Sequence, residues 1–326
     1  MNESAETLES SRQRMKILIT ELTHGQGLSP TILEGVKLAR ADKDLPRHPV
    51  LYEPSIYILA SGRKVGFVAD RTFVYDPNHY LVLTVPLPFD VESELEQDAP
   101  LLGISVRLDM AVVVELASKM GLRPSVGEID HNSSVHPSPL TALMCDAAVR
   151  LLRTLRSPSD AAILGPGIVR EIVFHALSGP HGHALVAMAN KGGGASKIQA
   201  ALEWIHREYA EPLNAPKMAE AMGMSVSSFH HSFKEITGSS PLQYLKAVRL
   251  HKARLHIKYD GLGAAVAAAK VGYESPSQFS RDFKRFFGHP PTRESVRREA
   301  LIGVDGAEDE FKSSSPRFER SFPGLT

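Results

Sequence analysis

The sequence predicts an α+β protein: an N-terminal antiparallel β-barrel or jelly roll followed by helices, then a C-terminal all-α domain of two helix-turn-helix units. Three observations predict it. From Leu51 to Val106 the apolar runs are short and cut by turn residues, from Asp109 the apolar period becomes helical, and between Met218 and Pro291 one helix-turn-helix pattern is written twice. At 326 residues the chain is long enough for two domains, each with its own core.

The N-terminal half opens with helical spacing from about Leu8 to Leu22. Strand-like runs follow. Leu51 to Ala60 ends at Ser61-Gly62, Lys64 to Ala69 at Asp70-Arg71, Thr72 to Tyr75 at Asp76-Pro77-Asn78, and His79 to Val85 at Pro86. Hairpin-sized gaps between them suit a small antiparallel barrel. The helical segments Met110–Met120, Pro139–Leu155 and Ser159–Leu177 are candidates for a helical pack and a dimer contact. Lys191-Gly192-Gly193-Gly194-Ala195 then reads as a flexible linker.

The repeat has a mechanical reason at each position. Its first copy runs Ala219, Gly223, Phe229, Phe233-Lys234, Gly238, Pro241, and its second Ala268, Gly272, Phe279, Phe283-Lys284, Gly288, Pro291. A small residue suits the helix crossing, and Gly supplies the backbone that a sharp helix exit needs. Ser225 and Ser275 are N-caps, with Pro276 at the first helical position. Val226, Phe229, Phe233 and Ile236 make one buried stripe, and Phe279, Phe283 and Phe286 or Phe287 the other. The outward faces hold Ser227, Ser228, His230, His231 and Lys234 in one copy, and Ser277, Gln278, Ser280, Arg281, Lys284 and Arg285 in the next. Hydroxyls, amides and imidazoles suit base edges, and cations suit phosphates.

Residues from about Ile198 to Glu299 resemble the DNA-binding domain of the AraC/XylS transcription regulators. The segment Gly272-Tyr273-Glu274-Ser275-Pro276-Ser277-Gln278-Phe279-Ser280-Arg281-Asp282-Phe283-Lys284-Arg285 is close to that family's signature. The resemblance implies seven helices, with a connecting helix from Leu242 to about Tyr259 that sets two recognition helices about one DNA turn, roughly 34 Å, apart. It implies base contacts from Ser227, His230 and His231, and from Ser277, Gln278 and Arg281, leaving Ser228, Lys234, Lys284 and Arg285 to the phosphates. His231 stands where the family often has Arg, and Gly261-Leu262-Gly263 before the second unit offers no capping side chain. The N-terminal half is similar to the sensor domain of an AraC subgroup, a cupin-like barrel followed by helices, through Tyr52-Glu53-Pro54-Ser55-Ile56, Gly62-Arg63-Lys64 and Tyr75-Asp76-Pro77-x-x-Tyr80-Leu81.

Charge is partitioned along the chain in keeping with that likeness. Residues 196–300 carry 16 Lys and Arg against 10 Asp and Glu, whereas residues 1–195 carry 18 against 22 and residues 301–326 carry 3 against 5. The expected domains are therefore 1–190 for sensing and dimerisation, 191–195 as linker, 196–300 for DNA binding, and a polar, disordered 301–326 tail. A single cysteine, Cys145, excludes an intrachain disulfide and reads as a small buried residue on a helix. No run reaches the roughly 18 apolar residues of a membrane span, so the expected location is cytoplasmic.

The expected partners are double-stranded promoter DNA, a small-molecule effector in the barrel, a second copy of the chain and, for an activator, RNA polymerase. No cofactor, metal or catalytic residue is expected. The barrel segment offers only His79 where a metal cupin needs several converging ligands, and His181-Gly182-His183 lies beyond it. The competing class is a cupin-type enzyme or small-molecule binder whose C-terminal helices mediate assembly.

Overall fold

The fold is that of a computed structural model, which describes residues 2–23, 25–97, 99–123, 134–189 and 194–294. A first helix, α1 (Asn2–Leu22), leads into nine strands: β1 (Gly27–Pro30), β2 (Val36–Ala41), β3 (Leu45–Tyr52), β4 (Ser55–Ser61), β5 (Arg63–Val68), β6 (Arg71–Tyr75), β7 (His79–Leu83), β8 (Leu87–Glu94) and β9 (Leu101–Arg107). After them come α2 (Met110–Lys119), β10 (Val135–Pro139), α3 (Ala142–Thr154), α4 (Pro158–Leu177) and α5 (Gly182–Ala189).

The strands make two antiparallel sheets, ordered β1-β2-β9-β4-β7-β10 and β3-β8-β5-β6, and not the closed barrel that the spacing suggested. Edge chemistry accounts for the difference. Pro30 in β1, Pro46 and Pro49 in β3, and Pro137 and Pro139 in β10 all lie on edge strands, where a residue without an N–H ends the ladder. Prolines also hid β1, β3 and β10 from the sequence pattern.

β4 shows how the layers stack. All seven of its residues are buried. Ile56, Ile58 and Ala60 pack with Met15, Leu18 and Ile19 of α1 and with Cys145 and Leu151 of α3. Tyr57 and Leu59 point the other way, into a second core with Tyr52, Tyr75, Phe89 and Val91 of the smaller sheet. The six-stranded sheet is thus covered by helices on one face and by the other sheet on its second face, so β4 lacks a polar alternation. β8, with one face outward, keeps the strict alternation of buried and half-buried residues. Cys145 is fully buried, as expected, and burial pushes its thiol up to about 11.

The C-terminal part holds α6 (Gly194–Glu208), α7 (Ala215–Ala221), α8 (Val226–Thr237), α9 (Pro241–Lys258), α10 (Ala264–Lys270), α11 (Pro276–Phe287) and a 3-10 turn at Pro291–Arg293. Of the expected linker, residues 191–193 lie outside the described residues, as does the 301–326 tail, while Gly194 and Ala195 begin α6. Ala195 packs on the core of the first helix-turn-helix unit, which favours extending the helix back to it.

Candidate nucleic-acid interface

The two helix-turn-helix units are α7–α8 and α10–α11. Ser225 caps α8 by accepting from the Ser228 amide at 3.2 Å, and Ser275 caps α11 by accepting from the Gln278 amide at 3.3 Å. Both helices end on a left-handed glycine, Gly238 and Gly288. Gly272, in the second turn, has φ +82°, and a Cβ there would lie 2.2 Å from the Ala210 carbonyl, so only glycine fits. α10 begins at Gly263 with no side-chain cap, as the sequence indicated.

Each unit buries its own aromatic stripe. Phe229 and Phe233 are fully buried with Tyr244 edge-on to Phe233 at 5.4 Å, and Phe279 and Phe283 are fully buried in a separate cluster. Val226 departs from the expected stripe. It is 44% exposed, because it is the first residue of α8 and precedes the turn where that helix meets the core.

With the phenylalanines inward, Ser227, Ser228, His231 and Lys234 of α8 are exposed and His230 half-buried. On α11, Ser277, Gln278, Arg281, Lys284 and Arg285 are exposed. The side chains of Arg281 and Lys284 make no hydrogen bond or ion pair among the described residues, so their cations face solvent. His231 Nε2 lies 3.2 Å from Glu235 Oε1 one turn on, which holds the ring along the helix surface. Arg285 is tied back to Asp282 at 2.9 Å.

Several residues that the pattern did not reveal fix these two helices in place. Asp282 has an 8% exposed side chain and pairs with Lys246 of α9 at 2.6 Å, anchoring α11 to the connector. Arg249 of α9 joins the segment between α6 and α7 to the second unit. Its Nε donates to the Tyr209 carbonyl at 2.7 Å, Nη2 to the Glu211 carbonyl at 2.9 Å, and Nη1 to the Gly272 carbonyl at 3.0 Å. One guanidinium therefore bridges the chain leading into the first unit and the turn of the second unit. Apolar periodicity carries no signal for such a clamp, since its partners are backbone carbonyls.

α9 is more than a spacer. Thirteen of its residues are buried, among them Leu245, Val248, Leu250 and Ile257, because it touches both units and the smaller sheet. Tyr244 Oη donates to the Pro86 carbonyl at 2.7 Å, leaving its lone pair to accept from His206 Nε2–H at 2.8 Å. Ser134 Oγ donates to the Ile236 carbonyl at the end of α8. Val85 and Met110 enter the first unit's core, so the reader and the β-sandwich share buried contacts.

Two histidines of this frame are neutral, His251 fully buried and His206 half-buried. Burial, with a smaller contribution from neighbouring cations, lowers His206 and His251 to about 3 from 6.5. Among the described residues both His251 ring nitrogens lack a partner, and the ring sits edge-on to Phe286 and Phe287 at 5.3 Å each. The unfolded chain thus binds more protons below pH 6.5 than the folded one. Stability is complete above that value and falls as pH drops toward 3. Urea midpoints should decline from neutral to mildly acidic pH, and His251→Leu should flatten the decline. The same slope in the variant would contradict a neutral, buried His251.

Residues 32–184 match the family described as AraC-type transcriptional regulator N-terminus, and residues 218–295 match the helix-turn-helix domain family. The chain thus carries an AraC-type regulator N-terminal domain followed by a helix-turn-helix domain. It is similar to the HTH-type transcriptional activator RhaS of Escherichia coli O139:H28 strain E24377A, 29% identical over 117 residues, which are 36% of this chain and 40% of RhaS. RhaS of Pectobacterium carotovorum subsp. carotovorum strain PC1 is 28% identical over 104 residues, 32% of this chain and 37% of that protein. The chain thus spans well under half the length of these relatives. Among solved structures, unsaturated fatty acid bound ToxT from Vibrio cholerae strain SCE256 shares the fold with a TM-score of 0.55 at 9% identity, covering 83% of this chain and 97% of ToxT.

Proposed function

We propose that this AraC-type regulator binds specific duplex DNA with α8 and α11 and is controlled by a small molecule bound in its N-terminal β-sandwich. The observation that carries the reading is the repetition of one solvent-facing recognition surface on two helices seated on a single connector, α8 through Phe233 against Tyr244 and α11 through Asp282 paired with Lys246. Residues 1–190 serve as the sensor and dimerisation part, 191–195 as the junction and 196–300 as the reader. Ser227, His230, His231, Ser277, Gln278 and Arg281 read bases, and Ser228, Lys234, Lys284 and Arg285 contact phosphates. The net positive charge of 196–300 supports salt-sensitive binding.

A homodimer fits the exposed Leu143 of α3 and Ile163 and Leu164 of α4, apolar side chains that a second copy would cover. RNA polymerase is a further partner if the protein activates. Among the described residues no single helix is long and apolar enough to cross a membrane. We place the protein in the cytoplasm.

Arg281→Ala tests the readout. The free guanidinium can grip guanine through two bonds, so its removal should cost about 1–3 kcal/mol and relax preference at one position of the site. His231→Ala should cost less, since its imidazole already leans on Glu235. Binding assays on selected duplexes measure both. Unchanged affinity and preference in both folded variants would contradict the assignment.

A further inference from the structure

The β-sandwich has a polar cavity at the end remote from the reader. Its volume is about 400 Å³, and it lies between α1 and the β4–β5, β6–β7 and β8–β9 turns. That size is in the range of small-molecule sites.

Its wall is chemically uneven. Arg63 and Glu94 satisfy one another at 2.7 Å. Arg12, whose side chain is 13% exposed, pairs through Nη1 with Glu9 at 3.5 Å and donates from Nη2 to Asn78 Oδ1 at 2.8 Å, yet its buried Nε–H has no acceptor among the described residues. The Lys16 ammonium and the Glu96 carboxylate both line the cavity and make no ion pair or side-chain hydrogen bond among the described residues. A buried donor left open costs free energy until an acceptor arrives. Two unengaged groups of opposite charge beside it call for a ligand carrying both signs.

The strands give this cavity a route to the reader. β5 runs from Arg63, at the cavity, to Val68, against which Gly238 at the end of α8 packs. β8 runs from Leu87, directly after the Pro86 carbonyl that Tyr244 holds, to Glu94 at the cavity. The two strands are hydrogen-bonded along their length, from the Arg63–Glu94 pair to the Phe67–Asp90 pair. Each has one end in the cavity and the other on the reader, β5 at the end of α8 and β8 at Tyr244 of α9.

From this arrangement we infer that the cavity between α1 and the three turns is the effector site, that it takes a small zwitterion of the amino-acid class, and that β5 and β8 couple it to the reader. Arg12 Nε–H and Lys16 hold the carboxylate, and Glu96 holds the ammonium. The inference rests on the effector-controlled reading above. A ligand there acts only by its differential affinity for two arrangements of the reader, so operator and ligand affinities are linked reciprocally.

The test uses the full chain, the common L-amino acids offered singly at millimolar concentration, and a duplex selected by the native protein. At least one amino acid should raise the melting temperature of the native chain, whereas its N-acetyl and amide derivatives should not. Lys16→Met and Glu96→Gln, both at the cavity surface, should weaken that binding on the order of tenfold each, and Arg12→Gln at least as much. The same amino acid should change operator affinity in the native chain and not in the variants. No shift with any amino acid, or binding undiminished in all three variants, would overturn the site. Binding that the variants lose but that leaves operator affinity unchanged would keep the site and overturn its role as the effector site.

Discussion

Phe233→Ala is expected to unfold the first helix-turn-helix unit rather than merely weaken a contact. The ring is fully buried between Phe229 at 5.5 Å and Tyr244 at 5.4 Å, in a core that also takes in Val85 of the sandwich. Truncating a buried Phe costs about 3–5 kcal/mol, a large part of the stability of a single domain. The loss should reach the sandwich, because Tyr244 also carries the bond to Pro86. Val226→Ala, at the exposed start of the same helix, should shift the denaturation midpoint little, within about 0.5 kcal/mol. Chemical denaturation of the two variants beside the native chain measures this. Equal midpoints for Phe233→Ala and the native protein would show that α8 is not seated as described.

Glu294→Ala should be as damaging for a different reason. The Glu294 side chain is 1% exposed and accepts from Arg254 Nε at 2.7 Å, and the Arg254 side chain is itself only 8% exposed. His289 Nε2 lies 3.2 Å from the second carboxylate oxygen, and the Arg254 guanidinium stacks 4.9 Å from the centre of the Phe287 ring. Removing the carboxylate leaves a buried cation uncompensated, at a cost of about 3–5 kcal/mol. Replacing both partners by Met removes that cation as well, so the double variant should be markedly more stable than Glu294→Ala. A thermal melt of the native chain, the single variant and the double variant decides it. A double variant no better than the single one would contradict a buried, mutually dependent pair.

The C-terminal half was the more legible in sequence because its architecture is local. Caps, αL glycines and aromatic stripes repeat at fixed spacing, and the connecting helix falls within one residue of its expected ends. The outward residues of α8 and α11 follow from the same periodicity. What periodicity could not show is long-range: Arg249 reaching three backbone carbonyls, Lys246 meeting Asp282, and Tyr244 crossing to Pro86. Asp282 sits among charged neighbours and reads as surface, yet it is buried by its pairing with α9.

In the N-terminal half, β5, β6 and β7 stand close to their expected ranges, and α2, α3 and α4 likewise. One run expected over Leu51–Ala60 is instead the end of β3, a turn at Glu53-Pro54, and β4. Both strands are apolar there because each lies against a buried layer, so hydrophobicity does not mark the turn. Three of the four edge strands, β1, β3 and β10, were hidden by their prolines, and with them the evidence that the sheets stack without closing.

The account stands most directly on whether the full chain contacts two successive major grooves. Methylation interference at guanine N7, on duplexes that the native protein selects from a random-sequence pool, reports major-groove contact base by base. The prediction is two clusters of interference centred about 10 base pairs apart on one face of the duplex, with Arg281→Ala altering the cluster under α11 and His231→Ala the other. A pool that yields no enriched sequence, or a single cluster indifferent to both substitutions, would contradict a bipartite DNA reader.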